Sequence, residues 1–287
     1  MQTITITGVP EHFNFPWLEL IDEQPLKDIN LQWIEEPKGS GAMNQAIRTG
    51  QTDLAVILTE SFIKDKIEGN TGKIIGYHVQ SPLTWGVHVP ANCAVQEVAE
   101  LKDAPFLISR YGSGSHLMAF LLAKQQGWDP KSLKFEVIGD LIGAREAFKK
   151  GIPKLFLWEK YTTKPLVDKG EFKRIGEIPT PWPCFVLVAS EKALTEFPEE
   201  IKKLQELLYQ KSAALANRED LTVQLSETYN IREEDITAWL DQTEWAIDPS
   251  MTKISLEQTM QILLELELID NAVSVEELVA DDYAELI

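Results

Sequence analysis

The chain has few of the residues that build metal sites and disulfide scaffolds. Among its 287 residues there are only two cysteines, Cys93 and Cys184, and four histidines. No Cys-x-x-Cys pair occurs, and no group of Cys, His and acidic residues has the spacing of a metal site, so we expect no metal and no cofactor. A single bridge between the two cysteines stays open, although a chain of this length can bury a core without one.

Positive charge is also scarce. The chain has 27 Lys and Arg residues against 45 Asp and Glu residues, a formal net charge of −18. Nucleic acids and anionic membrane surfaces bind proteins through exposed Lys and Arg, so this balance argues against both kinds of partner. The excess is uneven, because residues 191–287 hold 23 acidic and only 7 basic side chains. We interpret this acidic last third as a solvated surface, with an acidic docking face as the alternative.

Long hydrophobic segments are missing as well. The longest apolar run, at 184–189, is far shorter than a membrane span, so we expect no insertion into a membrane. The first ten residues have neither the basic start nor the apolar stretch of an export signal. We therefore expect a cytoplasmic protein, or a periplasmic one if an export signal has been removed.

Short apolar strands alternate with helices along the first two thirds of the chain. Thr and Ile alternate at 2–7, and residues 53–58 form an apolar strand of the kind that is buried on both faces. A second series extends to 189, and everything after 198 has helical periodicity. This order predicts an α/β protein with two open sheets and a helical C-terminal tail.

The same order predicts two lobes that share one chain discontinuously. We assign residues 1–85 and 190–287 to the first lobe, with the tail packed on it, and residues 86–189 to the second. The chain then crosses between lobes twice, near 80–90 and near 184–192. Two crossings at one edge form a hinge, and the cleft between hinged lobes can close on a small ligand.

Two loops rich in Gly and Ser follow strands and open helices, at 37–42 and at 110–116. Ligands of open α/β sheets bind beyond the carboxyl ends of the strands, where these loops lie. A helix start presents free N–H groups and partial positive charge, which suit a carboxylate, sulfonate or phosphate. Neither loop is a dinucleotide fingerprint or a P-loop. Two such loops facing one cleft predict a site for a small polar or anionic ligand.

Other loops after strands contribute further candidates. Thr59 and Glu60 follow the buried strand at 53–58, and tryptophans near the predicted cleft offer flat faces for a heteroaromatic ligand. The predicted ligand-binding residues are His12, Asn14, Ser40, Gly41, Thr59, Glu60, Trp85, Tyr111, Ser113, Gly114, Ser115, His116, Trp158, Glu159 and Trp182. No catalytic motif such as Gly-x-Ser-x-Gly or His-Glu-x-x-His occurs, so we predict no catalytic residue.

Three segments resemble the type II periplasmic solute-binding proteins of ABC transporters, in the branch that binds nitrate, sulfonates, taurine and thiamine precursors. They are GSGAMNQAIRTGQTDLAVILTE (39–60), RYGSGSHLMAFLLAKQQGWDP (110–130) and NIREEDITAWLDQTEW (230–245). The motifs YGSGSH, WEKYTTKP and PTPWP are similar to those of a compact bacterial and fungal subgroup that lacks an export signal.

The resemblance implies a Venus-flytrap receptor that performs no chemistry and has an ABC-transporter permease as its possible partner. Its ligand would lie between Ser40, Gly41 and Thr59-Glu60 of one lobe and Tyr111, Ser113–His116 and Trp158 of the other. The same fold also hosts cytoplasmic enzymes of thiamine-type and menaquinone-type cofactor biosynthesis. An enzyme in the same cleft, with Glu60, His116 or Glu159 as acid or base, is therefore the alternative function. A protein that interacts through its acidic tail is a third.

Overall fold

The computed structural model describes all 287 residues and contains two five-stranded sheets. The strands are β1 (Gln2–Gly8), β2 (Ile29–Glu35), β3 (Leu54–Leu58), β4 (Lys73–Val79), β5 (Thr84–Pro90), β6 (Phe106–Ile108), β7 (Phe135–Val137), β8 (Leu155–Glu159), β9 (Phe172–Pro179), β10 (Phe185–Ala189), β11 (Ser250–Met251) and β12 (Glu285–Leu286). The short strands β11 and β12 pair only with each other.

Helices connect and cover the strands, and they dominate the chain after β10. They are α1 (Phe15–Glu23), α2 (Ser40–Arg48), α3 (Thr59–Ile67), α4 (Gly114–Gln126), α5 (Leu141–Phe148), α6 (Lys164–Asp168), α7 (Glu191–Glu196), α8 (Pro198–Leu215), α9 (Leu221–Tyr229), α10 (Glu233–Leu240), α11 (Lys253–Glu265) and α12 (Val275–Leu278). None of these helices combines the length and the apolar composition that crossing a lipid bilayer requires.

Each sheet forms one lobe, and both sheets are mixed. The first has the order β2-β1-β3-β10-β4 and the second the order β7-β6-β8-β5-β9. In the first, β1 pairs in parallel with β2 and β3, whereas β10 runs antiparallel between β3 and β4. In the second, β6 is parallel to β7 and β8, and β5 is antiparallel to β8 and β9. The predicted pair of open α/β sheets is thus confirmed.

The strand β10 belongs to the first sheet, although the sequence order placed residues 86–189 in the second lobe. All five of its residues are buried, because it lies between two strands and is covered on both faces. The segment 84–85, placed with the first lobe in the prediction, begins β5 of the second sheet. An apolar pattern reports burial, but it does not report which of two sheets supplies the neighbouring strands.

The chain passes between the lobes in two short segments. The first crossing, 80–83, joins β4 to β5, and the second, 180–184, joins β9 to β10. The crossings are tied together, because the Leu83 and Cys184 backbone N–H groups donate to the Thr180 hydroxyl (3.0 Å) and the Ser81 carbonyl (3.1 Å). The second crossing thus comes earlier in the chain than the predicted 184–192.

The C-terminal helices pack back on the first lobe, as their sequence position suggested. Helix α8 lies against α1, and α11 lies against α3. Helix α10 also reaches the second lobe, because its Asp235 forms an ion pair with Lys164 of α6 (3.3 Å). The last segment has less helix than its periodicity predicts: α12 ends at Leu278, and the backbone becomes extended at Val279. Cys93 and Cys184 are both buried and both free.

Candidate functional site

The two Gly/Ser loops begin helices that face each other across the lobes. In the first lobe Gly39 is the N-cap of α2. The hydroxyl of the next residue, Ser40, accepts the Leu58 N–H at 3.1 Å. In the second lobe Ser113 is the N-cap of α4, and the Ser115 hydroxyl accepts the Ser109 N–H at 3.1 Å. Each lobe therefore uses one serine hydroxyl to fix a helix start to the end of the preceding or neighbouring strand.

Because the hydroxyls are engaged within the protein, the donors left for a ligand are backbone amides. The N–H groups of Ser40, Gly114 and Ser115 make no hydrogen bond to another protein group. The first amides of a helix have no intrahelical acceptor, and together they carry the partial positive charge of the helix start. We call these free N–H groups from the two lobes the amide pole, and they suit a hydrogen-bond acceptor or an anion.

A cavity of about 50 Å³ separates these helix starts. Its walls come from both lobes: Val9, Glu11, Lys38, Gly39, Ser40, Leu58 and Phe185 of the first, and Leu83, Trp85, Ser109, Ser113, Gly114, Ser115, Trp158 and Glu159 of the second lobe and its crossing. The Trp85 indole N–H is buried and has no hydrogen-bond partner. The cavity therefore lies between the lobes and has a mostly apolar wall, which includes two tryptophans and a few polar groups without partners.

Three acidic side chains are buried at or beside this cavity, and we call Glu11, Glu60 and Glu159 the acidic pole. Their exposed fractions are 8%, 0% and 3%. Burial and the nearby Glu159 raise the pKa of Glu11 to about 8. Burial also raises the pKa of Glu60 and of Glu159 to about 7. Desolvation destabilises the ionised form, so these carboxyls hold protons at a pH where surface carboxyls do not.

Few hydrogen-bond donors reach the carboxyl oxygens of the acidic pole. Glu159 Oε2 accepts the backbone N–H groups of Tyr161 (2.9 Å) and Thr162 (2.6 Å). Glu60 Oε2 accepts the Trp182 indole N–H at 2.8 Å, while Glu60 Oε1 has no partner. His12 Nε2 lies 3.9 Å from Glu159 Oε2, but burial lowers the pKa of His12 to about 3. The imidazole is therefore neutral at pH 7, and this contact is not an ion pair.

The structure brings seven of the predicted site residues to the cavity wall and leaves eight outside it. Those in the wall are Ser40, Trp85, Ser113, Gly114, Ser115, Trp158 and Glu159. Those outside it are His12, Asn14, Gly41, Thr59, Glu60, Tyr111, His116 and Trp182.

The residues outside the wall fall into two groups. Glu60 and Trp182 bond to each other behind it, and the Asn14 side chain donates to the Val9 carbonyl at 2.8 Å. Tyr111 is 64% exposed, and its ring meets that of His116 edge-on at 5.3 Å between centroids. The first group thus supports the wall, whereas Tyr111 and His116 line a neighbouring pocket together with Gly41 and Arg110.

The most important residue that the sequence analysis missed is Glu11. It follows Val9 and Pro10 at the end of β1, a position where ligands of open sheets bind. A carboxylate directly after a strand was therefore an available signal. Phe185, the first residue of β10, was missed because its strand had been assigned to the other lobe.

The acidic pole gives a testable dependence of stability on pH. Between about pH 4.5 and 8 the three glutamates bind more protons in the folded protein than in the unfolded chain. Their contribution to the free energy of unfolding therefore falls as the pH rises. Buried histidines, with a pKa near 3 or 4 in the fold, oppose this below about pH 7.5, because the histidines of the unfolded chain still bind protons there. We expect the free energy of unfolding to fall by about 2 kcal/mol from pH 6.5 to 8.5.

Urea denaturation across this range measures that slope. Glu11→Gln, which carries no titratable proton, is expected to remove most of it, because Glu11 has the highest pKa of the three carboxyls. Glu227→Gln, at an exposed glutamate without an ion pair, is the matched control and is expected to leave the slope unchanged. Stability that is flat or rises over this interval would show that the three carboxyls are not held neutral by the fold.

Comparison with known proteins places this geometry in a known fold. Residues 85–178 match the family model for Ca3427-like periplasmic binding proteins. The conserved CA3427 gene product of Candida albicans, described as having the generic periplasmic-binding-protein fold, is 25% identical, with a TM-score of 0.87 over 100% of this chain and 98% of that one. No curated protein sequence matches the chain.

More distant structures share the fold. The alkanesulfonate-binding protein SsuA of Xanthomonas axonopodis pv. citri, bound to MOPS, is 14% identical, with a TM-score of 0.78 over 100% of this chain and 99% of that one. PhnD1 of Prochlorococcus marinus, in complex with methylphosphonate, is 15% identical, with a TM-score of 0.63 over 93% and 99%. The resemblance to type II periplasmic binding proteins, and the two-lobed α/β fold that it implies, are confirmed.

Proposed function

We propose that this protein, whose fold is that of the type II periplasmic binding proteins, is a receptor that binds a small polar molecule between its lobes and performs no chemistry on it. The observation that carries the proposal is the set of unused polar groups at one interlobe cavity. Unpartnered amides of Ser40, Gly114 and Ser115 come from both lobes, and the unpartnered Trp85 N–H lies in the same wall. Buried donors without partners are costly, and a ligand that accepts from them removes that cost.

The proposal requires the lobes to move. A cavity of about 50 Å³ holds one or two water molecules, whereas ligand sites span roughly 300 to 1,000 Å³. In this closed arrangement Arg110 of the second lobe donates from Nη1 to the Lys38 carbonyl of the first at 2.7 Å. Gln242 of the tail also bonds to the Tyr161 hydroxyl of the second lobe. Opening breaks such contacts and leaves the crossings 80–83 and 180–184 as the hinge.

The relatives suggest partners and ligand classes for this proposal. SsuA and PhnD1 bind a sulfonate and a phosphonate, and an acceptor oxygen of that kind fits the amide pole. An ABC-transporter permease is the protein partner that such a receptor would serve. The cytoplasm is the proposed location and the periplasm the alternative. Fractionation of the cells that make the protein, with a tagged copy, distinguishes the two.

Native mass spectrometry of the purified protein tests the proposal directly. We expect a peak whose excess mass corresponds to a bound small molecule and disappears on denaturation. Readdition of the released molecule is expected to raise the melting temperature, because a ligand that binds only the folded state stabilises it by mass action. It is also expected to reduce the radius of gyration in small-angle X-ray scattering. If no small molecule co-purifies and a library of anionic and heteroaromatic metabolites changes neither quantity, the receptor proposal fails.

An enzyme in the same cleft is the second candidate, and the acidic pole is the observation that favours it. Buried carboxyls with raised pKa values are common among catalytic acids and bases. Of the three residues considered for that role, Glu159 lines the cavity and Glu60 lies behind its wall, whereas the His116 ring packs on Phe120 and Phe135. The released molecule distinguishes the candidates: a receptor returns it unchanged after prolonged incubation, and an enzyme converts it.

A further inference from the structure

The acidic pole is the feature of the cleft that an anion receptor does not explain. Glu11 follows β1 in the first lobe, Glu159 ends β8 in the second, and Glu60 begins α3. Neither Glu11 nor Glu60 lies within 4.0 Å of a basic nitrogen, and the only such contact of Glu159 is with the neutral His12. Three carboxyls are thus removed from water without one cationic side chain to balance them. Uncompensated burial of this kind is costly.

No Lys or Arg of the chain forms an ion pair with this pole. Lys160, next to Glu159 in the sequence, only weakly opposes the effect of burial on the pKa of Glu159, and its Nζ pairs with Glu177 at 3.0 Å. Lys38 lines the cavity, but its side chain is exposed. Arg110 bonds to the Lys38 carbonyl and stacks over Gly41 at the other end of the cleft, where its Nη2 is buried without a partner. The cleft therefore has two ends of opposite character. One presents amides to an acceptor, and the other presents carboxyls to a donor. Arg110 lies outside this wall and lines a neighbouring pocket.

We infer that the ligand carries a cationic nitrogen group, such as an ammonium, amidinium or guanidinium, which binds between Glu11 and Glu159 while an acceptor group of the same molecule meets the amides of Ser40, Gly114 and Ser115. This inference rests on the proposed function and names the ligand class for it. A bipolar ligand satisfies both ends of the cleft at once, whereas a simple sulfonate or phosphonate leaves the carboxyls uncompensated. Because Glu11 and Glu159 come from different lobes, the cation also links the lobes.

The inference fixes the sign of the pH dependence of binding. A cation between the carboxyls stabilises their ionised forms, so binding releases the proton that Glu11 holds in the free protein. The affinity therefore rises with pH between about 6.5 and 8, and an anion placed there would show the opposite trend. The groups that surround Glu11 are Glu159, Trp158, His12, Glu60, Cys184, Tyr229 and Lys38. Lys38 is the only cationic side chain among them, and it is exposed. Burial raises the pKa of Glu60 and Glu159 to about 7, so both lose protons over the same interval and reinforce the trend.

A matched pair of probes tests the ligand class. 4-Amidinobenzoate has a planar ring, a carboxylate and an amidinium, and 4-carbamoylbenzoate replaces only the amidinium by an uncharged amide of the same shape. We expect calorimetric titration of the wild-type protein to show at least about 30-fold tighter binding of the amidine, the factor that corresponds to about 2 kcal/mol for a buried charge pair. We also expect this preference to grow from pH 6.5 to 8.

The double variant Glu11→Gln/Glu159→Gln keeps the shape of both side chains and removes their charge. We expect it to bind the two probes equally, while Glu227→Gln retains the wild-type preference. Circular dichroism and thermal melting establish that the variant is folded before its binding is measured.

Three results of the binding measurements would overturn the inference. They are equal or tighter binding of the amide, an amidine preference that survives in the double variant, and no binding of the amidine at about 10 mM. A co-purified molecule without a basic nitrogen would also overturn it and would leave the proposed receptor function intact.

Discussion

Replacing Gly114 by valine is expected to hold the lobes apart and to weaken ligand binding by about 5- to 150-fold. Gly114 is the first residue of α4, and a Cβ atom built there lies 2.4 Å from Leu58 Cδ1 of the other lobe and 3.0 Å from the Trp85 ring. Overpacking costs about 1 to 3 kcal/mol, and the part that comes from Leu58 falls only on the closed form, because Trp85 belongs to the same lobe as Gly114. The apparent affinity falls by the same factor as the closed population.

Two measurements test this effect. Small-angle X-ray scattering is expected to show a larger radius of gyration for Gly114→Val than for the wild type, and titration with 4-amidinobenzoate gives the loss in affinity. Adding Leu58→Ala removes the atom that the new side chain meets, so the double variant is expected to regain part of both properties. A valine variant as compact and as competent in binding as the wild type would mean that α4 does not approach β3 across the cleft.

Replacing Trp239 by alanine is expected to lower the free energy of unfolding by about 3 to 5 kcal/mol, the usual cost of removing a buried tryptophan. This side chain of α10 is 1% exposed, and its ring lies 4.3 Å from His12, 5.1 Å from Phe13 and 5.4 Å from Trp245 between centroids. The indole N–H has no acceptor, so the loss comes from packing alone. Through this side chain, helix α10 packs the acidic tail against the segment that carries Glu11 and His12.

Guanidinium denaturation, followed by far-ultraviolet circular dichroism, gives the size of this loss. Val223→Ala on the neighbouring helix α9 is the control, because Val223 is 42% exposed and surface changes of this kind stay within about 0.5 kcal/mol. A Trp239 variant that lost no more than this control would show that the tail contributes little to the first lobe.

Much of the fold could be predicted from the sequence because its elements have strong local signals. The alternating segment at 2–7 corresponds to β1 with one residue more, and the buried run at 53–58 corresponds to β3 with one residue fewer. The positions of both helix starts followed from Gly and Ser after a strand. The sheet to which β10 belongs could not be predicted, because five apolar residues fit a central position in either sheet.

The parts of the site that are formed by the backbone at helix starts could be predicted. The parts that form only where the two lobes meet could not. Ser40 and Ser113–Ser115 line the cavity because helix starts point beyond the strand ends. Tyr111 and His116 belong to the same loop and helix, but the His116 ring packs on Phe135 (4.7 Å between centroids), and both residues line a neighbouring pocket instead. Glu11 resembles an ordinary solvated turn residue in the sequence, and Trp158 and Glu159, which lie beside it in the cavity wall, belong to the other lobe.

The insertion of β10 between β3 and β4 has a consequence for biosynthesis. The inner edges of β3 and β4 have no neighbour until residue 189 leaves the ribosome, about 110 residues after β4 is complete. At translation speeds of roughly 5 to 20 residues per second, these edges stay open for about 10 s, long enough for the continuous second lobe to form first. Nascent chains that pause in this interval expose unpaired apolar strands, which makes them substrates for chaperones and prone to aggregate.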